Sequence, residues 1–138
     1  MSRMPSPRLF FHDGAFGPGY LVKLRVRRLF YCNCFPDQVI VDEEEVETTP
    51  ERWNDFWEAV DRVGVWNWAP SYENADIRDG SWWTLKLRHG SRTVSSHGLN
   101  AYPGSEGPGY APDCSYALFL AALGHLVGPR MNQYGPPE

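Results

Sequence analysis

Two groups of residues in this 138-residue sequence have types and spacings suited to chemistry. Cysteines and histidines could bind a metal or act as nucleophile and base, and lysines and arginines could hold an anion. Cys32-Asn33-Cys34 would put two sulfurs on one side of a strand, because alternate strand residues point the same way. Zinc would need two further ligands, yet only Cys114 and four scattered histidines are available, with no Cys-x-x-Cys spacing and no histidine pair at i, i+4. The cysteines therefore read as buried free thiols, and no metal or other cofactor is expected. Ser96-His97 are adjacent and would face opposite sides of a strand. Cys114 with His97 or His125 stays open as a pair, because catalytic partners meet only in space. His12-Asp13 reads as a turn and His125 as a solvated residue near a helix end. No catalytic residue is assigned, and a non-enzymatic protein is expected.

The basic residues are patterned more regularly. From Tyr20 to Val26, Tyr20, Val22, Leu24 and Val26 alternate with Lys23, Arg25 and Arg27, the two-residue period of a strand with one buried face. Trp83, Leu85 and Leu87 alternate likewise with Thr84, Lys86 and Arg88. One sheet face would then carry Lys23, Arg25, Arg27, Lys86 and Arg88, an anion-binding face if nothing covers it. RNA-binding sheets also need exposed aromatics to stack bases, and the aromatic positions here share parity with the buried side. Neutralisation by the acidic run Asp42, Glu43, Glu44, Glu45 and Glu47 is the favoured reading of that face, so nucleic acid is not the expected partner.

A third group lies in turns. A hairpin about His89-Gly90 would bring Asp79-Gly80-Ser81-Trp82 close to Gly98-Leu99-Asn100-Ala101-Tyr102-Pro103. Either Asp79 and Asn100 satisfy loop backbone groups, or Asp79, Trp82, Asn100 and Tyr102 converge on a partner. Residues 98–113 form a long Gly- and Pro-rich connection, and such loops are often functional. With Glu106 and Tyr110 added, this end becomes the expected partner-binding site. Its acidic residues favour a basic protein partner.

Composition sets the frame for these candidates. A formal charge of −4 argues against wholesale nucleic-acid coating. Three cysteines are too few for a disulfide-stapled scaffold. No apolar run reaches membrane-helix length, so a cytoplasmic location is expected. The 14% aromatic share, with six Trp, supplies core material for one domain. That domain spans 9–128, between an arm at 1–8 and a tail at 129–138 that both read as flexible.

The positioning elements follow from periodicity and caps. Leu9–Phe11 reads as a short edge strand, Leu29–Phe35 and Val39–Glu47 as further strands, and Arg92–Ser96 as the partner of the strand through Leu85. Thr49-Pro50-Glu51 opens a helix whose stripe is Trp53, Phe56, Trp57, Val60 and Val63, closed by Gly64. Asp113 would cap a second helix with the stripe Tyr116, Phe119, Leu120, Leu123 and Leu126, ended by Gly128.

These elements repeat. Val22-Lys23-Leu24-Arg25 returns as Leu85-Lys86-Leu87-Arg88, and the first helix stripe returns at the same offset as the second. Units of about 20–64 and 82–128 suggest an internal duplication, ββ(β)α followed by ββα. Each helix can bury its stripe only on the apolar sheet face. An α+β two-layer sandwich results, an antiparallel sheet with two helices on one face.

Val65-Trp66-Asn67-Trp68, Tyr72, Asp79-Gly80-x-Trp82 and Gly98-x-Asn100-Ala101-Tyr102-Pro103, followed by an amphipathic helix, resemble a group of small uncharacterised bacterial proteins. The resemblance covers roughly residues 50–128. It implies an intracellular α+β domain and carries no activity, catalytic residue or cofactor. Small, acidic, aromatic-rich and cofactor-free chains include immunity proteins, antitoxins and phage inhibitors. A domain that masks a protein partner is therefore the expected function. A small-ligand or nucleic-acid-binding module is the alternative, and a small hydrolase the third.

Overall fold

A computed structural model describes residues 7–14, 19–34, 40–73, 82–105 and 112–128. The expected arm at 1–8, apart from Pro7 and Arg8, and the expected tail at 129–138 lie outside these residues. Seven strands, β1 Arg8–Gly14, β2 Gly19–Arg25, β3 Arg28–Cys34, β4 Ile40–Val46, β5 Ser71–Glu73, β6 Trp82–His89 and β7 Arg92–Leu99, form one sheet in the order β4-β3-β2-β1-β6-β7-β5. All neighbours are antiparallel except β5 and β7. Helices α1 Pro50–Val63 and α2 Ser115–Val127 pack together on one face. This is the α+β layering that the patterning predicted.

The core lies between sheet and helices. Phe11, Val22, Leu29, Leu85 and Leu87 from the strands meet Phe56, Trp57, Val60, Phe119 and Leu123 from the helices. Edge-on rings fill the middle, with Phe11 5.3 Å from Phe119 and Phe56 4.9 Å from Trp57 between centroids. The start and end signals of α1 work as expected: Thr49 Oγ1 accepts from the Arg52 amide at 3.2 Å, and Gly64 closes the helix at φ 84°. Helix α2 starts one residue later than expected. Cys114 occupies its cap, without a side-chain hydrogen bond, and Asp113 precedes it.

Three strand expectations need correction. Residues 9–11 belong to a full-length central strand, because Leu9 and Phe11 are buried toward the helices while His12 is buried on the other face. A strand buried on both sides belongs in the middle of a sheet. The strand begun at Tyr20 stops at Arg25, since Val26 and Arg27 have φ of 46° and 69° and form the two-residue turn that joins β2 to β3. The second hairpin turns one residue later than expected, with His89 paired to Arg92 and Gly90 at φ 63° in the first central position. β5, unheralded in the sequence, adds to the β7 edge in parallel.

Among the described residues, no helix is long and apolar enough to cross a membrane.

Candidate functional site

Strand alternation sends Arg8, Phe10, His12, Lys23, Arg25, Arg28, Phe30, Cys32, Lys86 and Arg88 to the sheet face that the helices leave open. Register then assembles them into rows. Arg25 pairs with Arg28, and Arg8 pairs with Arg88. Since Phe10 pairs with Lys23 across β1 and β2, the two arginine pairs fall in one row over four adjacent strands. The next row reads Phe30, Lys23, Phe10, Lys86. Cross-strand rows are about 4.8 Å apart from strand to strand, so the two phenyl rings stand about 10 Å apart with a lysine between them.

Among the described residues, Lys23, Arg25 and Arg28 on this face have acidic partners. Lys23 Nζ lies 2.8 Å from Glu43 Oε1, with Arg25 Nη2 at 3.8 Å from the same oxygen. Arg28 makes a two-pronged contact with Glu45, its Nε at 3.1 Å. These partners hold both carboxyls below their ordinary range. Arg25 and Arg28 also sit 5.3 and 5.7 Å from the Phe30 ring centre. On the β1–β6 side, Arg8 and Lys86 are exposed and have no ion pair among the described residues. There Arg8, Lys86, Arg88, Thr93 and Ser95 line an open groove of about 280 Å³.

Of the basic residues read from the sequence, the structure thus keeps Lys23, Arg25, Lys86 and Arg88 on one face. Arg27 is corrected to the hairpin turn, outside the rows. Arg8, Arg28, Phe10 and Phe30 join the face and were missed. Phe10 and Phe30 depart from the expected parity of aromatic positions with the buried side: they are half-buried on the cationic face.

The expected loop site comes out differently. Asp79, Glu106 and Tyr110 lie outside the described residues. Tyr102 is 7% exposed, with its ring 4.7 Å from that of Tyr116, and Asn100 is 4% exposed at φ 57°. Both side chains are thus buried where a partner-binding role was expected of them. A Cβ on Gly98 would lie 2.1 Å from Trp83 Nε1, and that nitrogen donates to the Ala101 carbonyl at 2.8 Å. The Gly-x-Asn-Ala-Tyr-Pro segment is therefore a lock over the Trp83 indole. Trp82, next along the strand, points to the open face near His12 and Gly14, away from Tyr102.

The other chemical candidates are separated. Ser96 Oγ donates to the Ala69 carbonyl at 2.6 Å, while His97 is exposed on the other face. His125 pairs with Asp55 at 3.2 Å. Cys32 and Cys34 are buried with Leu21, and burial pushes the Cys32 thiol up to about 11, which keeps it protonated and poorly nucleophilic. His12 and Asp13 diverge. His12 is fully buried, neither ring nitrogen has a hydrogen-bond partner among the described residues, and burial lowers its pKa. Asp13 faces the helices and accepts from Tyr116 Oη at 2.7 Å. Among the described residues, no three His, Cys, Asp or Glu side chains are grouped to hold a metal.

Compared with known proteins, the chain matches no family model, and no curated protein is significantly similar to it.

Proposed function

We propose that the chain is a non-enzymatic binding module that holds an anionic macromolecule on its open sheet face. The observation that carries this reading is the row Arg28, Arg25, Arg8, Arg88, which contains two directly opposed arginine pairs. Like charges opposite one another destabilise a sheet; Glu43 and Glu45 offset this at Arg25 and Arg28, and an anion seated beside exposed Arg8 would offset it where Arg8 faces Arg88. The rest of the molecule sharpens the contrast. The formal charge is −4 overall, and the solvent side of α1 carries Glu51, Asp55, Glu58 and Asp61. Positive charge is thus concentrated on one layer of an acidic protein, the arrangement that steers an anionic partner to one face.

Charge reversal tests this reading. Heparin and polyphosphate serve as generic polyanions, and affinity for both should fall steeply with salt. Arg8→Glu with Lys86→Glu should abolish retention, while Glu51→Lys with Glu58→Lys should not weaken it. Wild-type protein that binds neither polyanion at low salt would refute the proposal.

The acidic outer face of α1 supports a second reading, the masking of a basic protein partner. Under that reading the Glu51 and Glu58 substitutions, rather than those at Arg8 and Lys86, would destroy binding to the partner.

A further inference from the structure

We infer that the anion held on this face is single-stranded nucleic acid, its bases stacked on Phe10 and Phe30 and its phosphates tracked by the flanking cations. The inference rests on the anionic-face reading above and adds the class of ligand. Rings and charges alternate across the strands as Phe30, Lys23, Phe10, Lys86. A polymer of bases and phosphates matches such a row, with exposed Lys86 beside Phe10 as its phosphate contact and Lys23 held by Glu43 between the rings, whereas heparin or polyphosphate offers charge alone. Both rings are half-buried against Leu21, Cys32 and Cys34, so they are held at their inner edges and keep part of their surface in solvent. The rings stand about 10 Å apart, two strand spacings, which suits bases splayed apart rather than stacked on each other. A duplex hides its base faces and could meet these rings only by opening.

The guanidiniums around Phe30 extend the same platform. Arg25 and Arg28 lie over that ring, and guanidinium planes themselves stack on bases. The groove beside Phe10 supplies the phosphate contacts, with Arg8, Lys86 and Arg88 for charge and Thr93 and Ser95 as hydroxyl donors. Sequence preference should be weak, because every base has a π-face and stacking does not distinguish base edges.

The experiment measures anisotropy of labelled dT and mixed-sequence oligonucleotides of about 12 nucleotides on the full chain, with polyphosphate, duplex DNA, anionic vesicles and an acidic protein as competitors. Single strands are expected to bind best. Phe10→Leu and Phe30→Leu, which keep apolar bulk at the Cys32–Cys34 cluster, should each weaken oligonucleotide binding roughly ten-fold and leave polyphosphate binding unchanged. Phe10→Tyr and Phe30→Tyr should restore it. Arg8→Gln with Lys86→Gln should lower the salt slope by about 1.4. Melting curves confirm that each variant is folded.

Equal losses for oligonucleotide and polyphosphate in the Leu variants would overturn stacking and leave the anionic face standing. Stronger competition by duplex, vesicles or acidic protein than by single strands would also overturn the inference. Failure of every polyanion to bind would remove the underlying reading as well.

Discussion

Asp13 offers a quantitative test of how this fold treats a buried charge. Its carboxylate faces the helix layer, where Tyr116 Oη donates to it at 2.7 Å. Burial nevertheless pushes its pKa from an ordinary 3.8 up to about 6, with the Tyr116 hydrogen bond pulling the other way. A carboxyl whose folded pKa exceeds its unfolded value adds stability when both states are protonated. That contribution fades as pH rises from about 4 through about 6. The interval from 3.8 to about 6 corresponds to about 3 kcal/mol. Above about pH 7 the native state therefore carries an ionised Asp13 at roughly that cost.

Asp13→Asn removes the ionisation and keeps an oxygen to accept from Tyr116. Its amide N–H groups need partners of their own, which offsets about 1 kcal/mol or more of the gain. The variant should be more stable than wild type by about 1–2 kcal/mol at pH 8, and should lose that advantage at pH 4. Urea unfolding of both proteins from pH 4 to 8 measures the difference. The difference matters more than either curve alone, because His12 contributes with opposite sign. Its lowered pKa contributes stability above its ordinary 6.5 that is lost as pH falls. Glu43 and Glu45, also held low, lose their contributions as pH falls toward and below the ordinary carboxylate range. A difference that stays flat with pH, or an Asn variant less stable at pH 8, would refute a buried ionised Asp13.

Two further substitutions test the scaffold. Gly98→Ala would push a methyl to 2.1 Å from the Trp83 indole nitrogen and 2.5 Å from the Ala101 carbonyl. It should cost about 3 kcal/mol or more, seen as a lowered melting point and altered Trp fluorescence. Val26 and Arg27, at φ 46° and 69°, occupy a turn that favours Asn-Gly. Val26→Asn with Arg27→Gly should stabilise the protein by about 1–2 kcal/mol while leaving polyanion binding intact, since neither residue belongs to the cationic rows.

What was legible in the sequence depended on whether one element carried its own signal. Helix α1 did: Thr49, Pro50 and Gly64 mark its ends, and its stripe repeats at helical spacing. The α+β layering followed from two such stripes and alternating strands. Register between strands was not legible at β2–β3, because a turn of Val26 and Arg27 has none of the residues that announce a hairpin. Without it, Arg28 and Phe30 could not be placed beside Arg25 and Lys23. β1 misled for a different reason, since Leu9, Phe10 and Phe11 are consecutive apolar residues and a short run of that kind has no parity to read. The Gly-x-Asn-Ala-Tyr-Pro segment looked like a surface loop because its residues are turn formers. Its Tyr102 is held by the core at Tyr116, a contact that only the chain's return over the sheet creates.

The cationic rows are not a by-product of that packing. Arg8 and Lys86 are exposed, without ion pairs among the described residues, and the core is built from their strand neighbours Leu9, Leu85 and Leu87. Threonine at either position would keep the strand and relieve repulsion. Among the described residues, the ion pairs on this face come from Glu43 and Glu45 of β4 and reach Lys23, Arg25 and Arg28 on β2 and β3. The potential should therefore rise from β4 toward β1 and β6, so that an approaching anion meets Arg8 and Lys86 first. Exchanging Glu43 and Glu45 for Gln should then strengthen polyanion binding without changing which residues it depends on. If the face were merely a solvated surface with internal neutralisation, removing those glutamates would destabilise the sheet and create no new affinity.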